Sequence, residues 1–181
     1  IKLGKSIDRS DNPSDRWSKT LRIAFGQSKM VRKPVSGFLH VIVYLGFIII
    51  NIEVLEIIID GLFGTHRVLS FMGGFYNALI GIFEVLALLV FIGVIIFWIR
   101  RNVLNIYRFL SRELKGWPKN DANYILYFEM VLMTLFLVMN AADYQLQLNG
   151  APHYAHEGGI IGGFPISQFI ALLFEGVSNS T

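Results

Sequence analysis

Three stretches, 37–62, 75–99 and 123–142, stay apolar for longer than a strand or a soluble core helix requires, and they constrain the chain more than any other feature. A hydrocarbon layer about 30 Å thick takes roughly 20 helical residues to cross. Backbone amides in lipid have no water to bond, so segments of this length satisfy them internally as helices, and each is too continuous for a barrel strand. The expected fold class is all-α, an integral membrane helical bundle with three transmembrane helices. Composition agrees, since 54% of the 181 residues are hydrophobic. Cysteine is absent, which excludes disulfides, thiolate metal sites and iron–sulfur clusters within these residues. The chain opens on Ile1 and closes on VSNST, so it reads as a stretch of something longer.

Of the 16 Lys and Arg residues, nine precede Pro34, six lie between Arg100 and Lys119, and Arg67 stands alone on the other side. The positive-inside rule therefore puts the first two groups in the cytoplasm, and the loop around Arg67 and the tail after Asp143 outside. Trp98 at one helix exit, and Trp117, Tyr124 and Tyr127 at the next entry, fit interfacial aromatic positions. The basic residues thus orient the chain; a net charge of +3 gives no ground for nucleic-acid binding.

Three regions follow. Residues 1–35 are polar and basic, unlike a signal peptide, and read as a cytoplasmic amphipathic segment with Trp17, Leu21, Ile23, Phe25 and Met30 available to lipid or a partner. Its Gly4-Lys5-Ser6 lacks the earlier glycine and the strand-to-helix setting of a phosphate loop. Residues 36–142 form the transmembrane domain. Residues 143–181 read as an extracytoplasmic loop, containing His153 and His156, followed by a short helix from ISQFIALLFEG at the outer surface.

Polar residues inside the spans carry the functional signal, because burying them in lipid is costly. His40 lies about one turn into the first span, sharing a stripe with Tyr44, Phe47 and Asn51. An imidazole there serves either as an axial haem ligand or as an interfacial hydrogen-bonding group. His66, in GLFGTHRVLS, is 26 residues on; about 39 Å of continuous helix would separate the two, so they belong to separate sites. Glu53, Glu56 and Asp60 fall on one face of the first span at i, i+3 and i+7, while Glu84 and Glu129 lie within the second and third. Such carboxylates exchange protons, bond a quinone, or, with Asn51, Asn77 and Asn140, hold helices together.

The run DRSDNPSDRWSKTLRIAFGQSKMVRKPVSGFLHVIVYLGFIIIN resembles the membrane part of bacterial iron–sulfur oxidoreductases related to heterodisulfide reductase, including electron-transfer-flavoprotein:menaquinone oxidoreductases. RRNVLNIYRFL and GWPKNDANYILYF are similar to the cytoplasmic loop and following helix of that group, so the likeness covers most of 7–142. It implies a cytochrome b-like anchor, similar to the gamma subunit of respiratory nitrate reductase, in the bacterial cytoplasmic membrane. It implies one or two b-type haems, with His40 at the position of the histidine that opens the haem-bearing helix and His66 as a second ligand. It further implies a preceding helix upstream, opposing histidines from another helix, and iron–sulfur clusters in a soluble domain outside this stretch.

The resulting expectation is an electron-transfer domain between a cytoplasmic iron–sulfur module, with an electron-transfer flavoprotein as a candidate partner, and membrane menaquinone. A haem-free membrane anchor and a small transporter or channel subunit with Glu53, Glu56 and Glu84 along its path are the alternatives. Three spans without an evident repeat weigh against the last.

The charge distribution yields a topological prediction. Cysteines introduced at Lys19 and Lys115 should resist an impermeant thiol reagent in intact cells, whereas one at Glu157 should react; labelling at Lys115 from outside would reverse the orientation.

Overall fold

The computed structural model describes residues 11–26, 34–104, 106, 116–150 and 160–176, and among these it is helical with no strand. Helix α1 spans Pro13–Ala24, α2 Pro34–Phe63, α3 Gly74–Asn102, α4 Trp117–Leu148 and α5 Ser167–Ala171, with single turns of 3₁₀ helix at Val68–Met72 and Leu172–Phe174. Helices α2, α3 and α4 are long and apolar enough to cross a membrane, and they enclose the three stretches picked out by hydropathy. His153, His156 and Met30 lie outside the described residues.

The chain divides into two compact units, Ile1–Val41 and Ile42–Thr181. In the first, Pro13 stands at the start of α1, where its missing N–H costs nothing. Trp17, Leu21 and Phe25 recur at i, i+4 and i+8, so they share one face, and all are exposed. The Lys19–Asp15 pair at 2.8 Å is also exposed and adds little to stability. The helix therefore presents an unburied apolar stripe, as a surface-lying helix does.

The core of the second unit is built where helices come close. Gly46 of α2 faces Val90 of α3, and Gly93 of α3 faces Val43, so small residues let the two backbones approach. Tyr76, Ile80, Phe83, Ala87, Val90 and Val94 form the buried stripe of α3, and Met133, Phe136 and Leu137 that of α4. At the end where α3 leads into α4, the side-chain amides of Asn102 and Asn123 donate to one another at 3.2 and 3.0 Å. Arg101 Nη2 adds donations to the carbonyls of Pro118 and Lys119, which ties the end of α3 to the start of α4.

The C-terminal segment is bonded to α3 and α4. Ile161 N–H donates to Gln147 Oε1 (2.7 Å), Gly162 N–H to Asn77 Oδ1 (2.7 Å), and Ile166 and Ser167 N–H to Glu84 Oε2 (2.9 and 3.1 Å). From Gly162 to Ser167 the partners thus lie progressively further along α3, from Asn77 to Glu84. Glu84 is about 15 Å from Gly74 at the helical rise. Ser167 Oγ reaches the Leu137 carbonyl at 3.0 Å, about 16 Å from the end of α4 at Leu148. Irregular backbone is tolerated at such depth only when protein groups satisfy it, and Gln147, Asn77 and Glu84 do so here. Glu84 also places a carboxylate against the start of α5, the end that favours negative charge.

The depth of α5 depends on that carboxylate. Replacing Glu84 with Leu leaves two buried N–H groups without an acceptor and should cost about 1–3 kcal/mol for each orphaned group, with Glu84→Gln milder because one acceptor oxygen remains. Denaturation of the purified variants checks this; equal stability of Glu84→Leu and wild type would contradict it.

Candidate functional site

Three carboxylates at helical spacing on α2 turn towards the core instead of lipid. Gly46, Ile50, Glu53 and Glu56 form one buried stripe, while Ile52, Leu55, Ile58, Ile59 and Leu62 stand exposed. The polar face is inside, as a lipid solvent demands.

Opposite this face sits Arg67, in the connection between α2 and α3, buried and with a left-handed backbone at φ 50°. A non-glycine residue pays strain for that conformation, and here the surroundings hold it. Its N–H and that of Val68 donate to the two oxygens of Asp60 at 2.7 and 3.2 Å, and Thr65 Oγ1 donates to Asp60 Oδ1 at 2.6 Å. The guanidinium reaches across to α4: Nη2 and Nε donate to Asp143 Oδ2 at 2.5 and 3.2 Å. Nη1 donates to the Tyr76 hydroxyl at 3.0 Å and lies 3.9 Å from Glu53 Oε1. Tyr76 in turn donates to Glu56 Oε2 at 2.8 Å, and Leu69 N–H donates to Glu56 Oε1 at 2.9 Å. Gln147 Nε2 completes the Asp143 shell at 3.1 Å, and the Phe164 ring lies 5.5 Å from the guanidinium carbon.

Burial works to lower the Arg67 pKa, but Asp143 and Tyr76 outweigh it and hold the guanidinium above its ordinary value. With the folded value above the unfolded one, the stabilisation is complete at every pH below the ordinary arginine range and is lost only as pH rises through the raised value. Arg67 is therefore a permanent cation among four carboxyl side chains, Glu53, Glu56, Asp60 and Asp143.

The residues singled out from sequence fall into distinct roles. Glu56 and Asp60 hold the α2–α3 connection through its backbone N–H groups, and Glu84 holds the start of α5. Glu53 is different. It is 2% exposed, and beyond the side chain of Asn140, itself 0% exposed, neither of its carboxyl oxygens has a hydrogen-bond partner among the described residues. His66 is exposed and its Nε2 lies 3.6 Å from Asp143 Oδ1, so it joins this cluster. His40 is half-buried on α2, in the first unit. Glu129 is half-buried on α4 with Oε1 unpartnered among the described residues.

Two spaces adjoin this arrangement. A cavity of about 180 Å³ is lined by Glu53, Asn140, Arg67, His66 and neighbours, and a largely apolar groove of about 400 Å³ lies along α2 and α4. Ile57 and Met139 line both.

Sequence reasoning noted Arg67 only as a topological marker, and it missed Tyr76, Asp143 and Gln147 as site residues. The available signal was charge placement: the basic residue of the α2–α3 loop faces a carboxylate near the end of a span, two charges that would each be expensive alone. Among the described residues no group of three His, Asp or Glu side chains is arranged to hold a bare metal ion.

Compared with known proteins, the chain matches no protein-family profile and no solved structure. It is 29% identical over 180 residues to a probable iron–sulfur-binding oxidoreductase, FadF, of Bacillus subtilis, covering 99% of this chain and 23% of the relative. It is 25% identical over 137 residues to the EtfAB:quinone oxidoreductase of Syntrophomonas wolfei, covering 73% of this chain and 17% of the relative. The chain thus spans less than a quarter of the curated relatives it matches. Both relatives are named as oxidoreductases, the first of them as iron–sulfur-binding.

The cluster predicts its own sensitivity. Arg67→Met leaves buried carboxylates without their cation and should destabilise the protein by about 3–5 kcal/mol. Adding Asp143→Leu removes one of the uncompensated charges and should recover part of that loss. Denaturation of the single and double variants measures the coupling, and a double variant as damaged as the sum of the singles would contradict it.

Proposed function

We propose that this chain is the membrane electron-transfer part of an iron–sulfur oxidoreductase, passing electrons between a cytoplasmic iron–sulfur module and membrane quinone. The observation that carries this reading is the likeness to a probable iron–sulfur-binding oxidoreductase over 99% of the chain, a chain whose three long helices are apolar enough to cross a membrane. With no cysteine here, the clusters belong to protein outside this stretch. The second relative, an EtfAB:quinone oxidoreductase, supports a quinone at one end and an electron-transfer flavoprotein at the other. We assign menaquinone as the quinone and the bacterial cytoplasmic membrane as the location.

A b-type haem, when bound, supplies reversible one-electron carriage. His40 would hold one from the first span and His66 a second. The donor chemistry suits the group: each is an imidazole, and Asp143 Oδ1 at 3.6 Å from His66 Nε2 is the kind of carboxylate that orients a ligating ring. A porphyrin brings its own equatorial nitrogens, so scattered single imidazoles suit it better than a bare ion. Any further residue that would hold a haem lies elsewhere in the protein.

The alternative of a haem-free anchor draws on one observation: Glu56, Asp60 and Glu84 are all engaged in holding backbone. The same observation weakens a transport path, which would need Glu56 and Glu84 unengaged.

A reduced-minus-oxidised visible spectrum of the purified full-length protein should contain b-type haem bands. The inserted His40→Leu protein should carry one haem fewer per chain and lose quinone-linked electron transfer. Haem content equal to wild type would overturn the His40 assignment, and no haem in the wild type would leave the anchor.

A further inference from the structure

The cavity beside Arg67 contains a conflict that its own residues do not resolve. Glu53 and Asn140 present four buried side-chain polar atoms with no hydrogen-bond partner among the described residues beyond one another. Groups removed from water without partners are costly and therefore uncommon, and each calls for a reason. Their neighbours do not share the problem: Glu56, Asp60, Asp143 and Arg67 are all hydrogen-bonded. What is missing is a further partner for the Glu53–Asn140 pair.

The chemistry of the surroundings narrows what that partner is. Arg67 Nη1, 3.9 Å from Glu53 Oε1, disfavours a cation. Four carboxyl side chains around the cavity disfavour an anion. A carboxamide both donates and accepts, and so does a carboxyl group in its protonated form, so a neutral group with hydroxyl or carbonyl oxygens satisfies them. The cavity, about 180 Å³, has room for a substituted six-membered ring. Ile57 and Met139 also line the groove along α2 and α4, whose walls include Phe47, Val54 and Phe136. A chamber carrying charged and amide side chains, next to an apolar groove, fits a molecule of the same two-part construction.

Resting on the quinone-linked reading above, we infer that this is a quinone site, with the ring oxygen of the head bonded by Glu53 and Asn140 and the isoprenoid chain leaving past Ile57 and Met139 into the groove. Asn140 fixes the head, Arg67 and Tyr76 position Glu53 from behind, and the junction sets the direction in which the chain leaves. Glu53, unlike Glu56 and Asp60, bonds no backbone N–H of the loop, so it is the one able to exchange a proton with the ring oxygen without loosening that loop.

The test uses the purified full-length protein in lipid nanodiscs and two probes, a decyl-substituted naphthoquinone and the ring-only menadione, with binding followed by calorimetric titration. Asn140→Leu and Glu53→Leu should each weaken the decyl probe at least about tenfold, the loss of one well-made buried hydrogen bond. Glu53→Gln keeps a donor and an acceptor at the same place and should bind within about threefold of wild type. Met139→Trp narrows the junction at a partly exposed position and should weaken the decyl probe more than menadione. Wild-type affinity in Met139→Trp and in whichever leucine variants fold overturns the site and leaves the quinone-linked reading standing. A tenfold loss in Glu129→Leu instead moves the head to the far end of the groove and equally overturns it. Failure of the wild type to bind either probe overturns both the site and the reading.

Discussion

A permanent cation that cannot reach water has to be surrounded by acceptors, and Arg67 draws its acceptors from three different helices. Asp60 on α2 takes its backbone N–H, Tyr76 on α3 and Asp143 on α4 take its guanidinium, and Gln147 ties Asp143 onward to the backbone at Ile161. The ends of α2, α3 and α4 and the entry of the C-terminal segment are therefore one electrostatic unit. None of the carboxylates involved is tolerable alone in a low-dielectric setting, and removing the guanidinium leaves them so.

The same unit explains why α2 is built with its acids inward. Its buried stripe runs from Gly46, which admits α3, through Ile50 to Glu53 and Glu56, so tight packing at one end is continuous with polar bonding at the other. The aliphatic residues that would fill a soluble core face outward instead. Once Glu56 and Asp60 are committed to the loop and Glu84 to α5, the structural demand on carboxylates is met. Glu53 and Asn140 remain over, facing a cavity that shares Ile57 and Met139 with the apolar groove. Function is assigned to the groups that structure does not use.

How much of this could be read from the sequence depends on the range of the cause. The three helices follow from local hydropathy, because the number of apolar residues needed to cross a bilayer is a property of the segment itself. The shared face of Glu53, Glu56 and Asp60 is likewise local, fixed by the helical repeat. What those acids meet is not local: Arg67 and Asp143 are 76 positions apart, and α5 is drawn down by Glu84 from 82 and 83 positions away. No periodicity encodes such a pairing, so ISQFIALLFEG, short and moderately apolar, reads as a surface helix until its N–H groups are seen to be capped from within α3. His66 was legible as an unusual residue, but its proximity to Asp143 depends on the turn that Asp60 and Arg67 create together. His40 owes its functional reading to the resemblance of its surrounding sequence, which lies in a part of the chain distinct from the cluster.

The central claim, that a membrane electron-transfer domain uses Glu53 as its free carboxyl beside a bound quinone, is tested most directly by redox-induced infrared difference spectroscopy of the full-length protein in lipid. Reduction of bound naphthoquinone should perturb a carboxyl C=O band in the wild type, and that band should be absent from the difference spectrum of Glu53→Gln. Identical difference spectra for the two proteins would contradict the account.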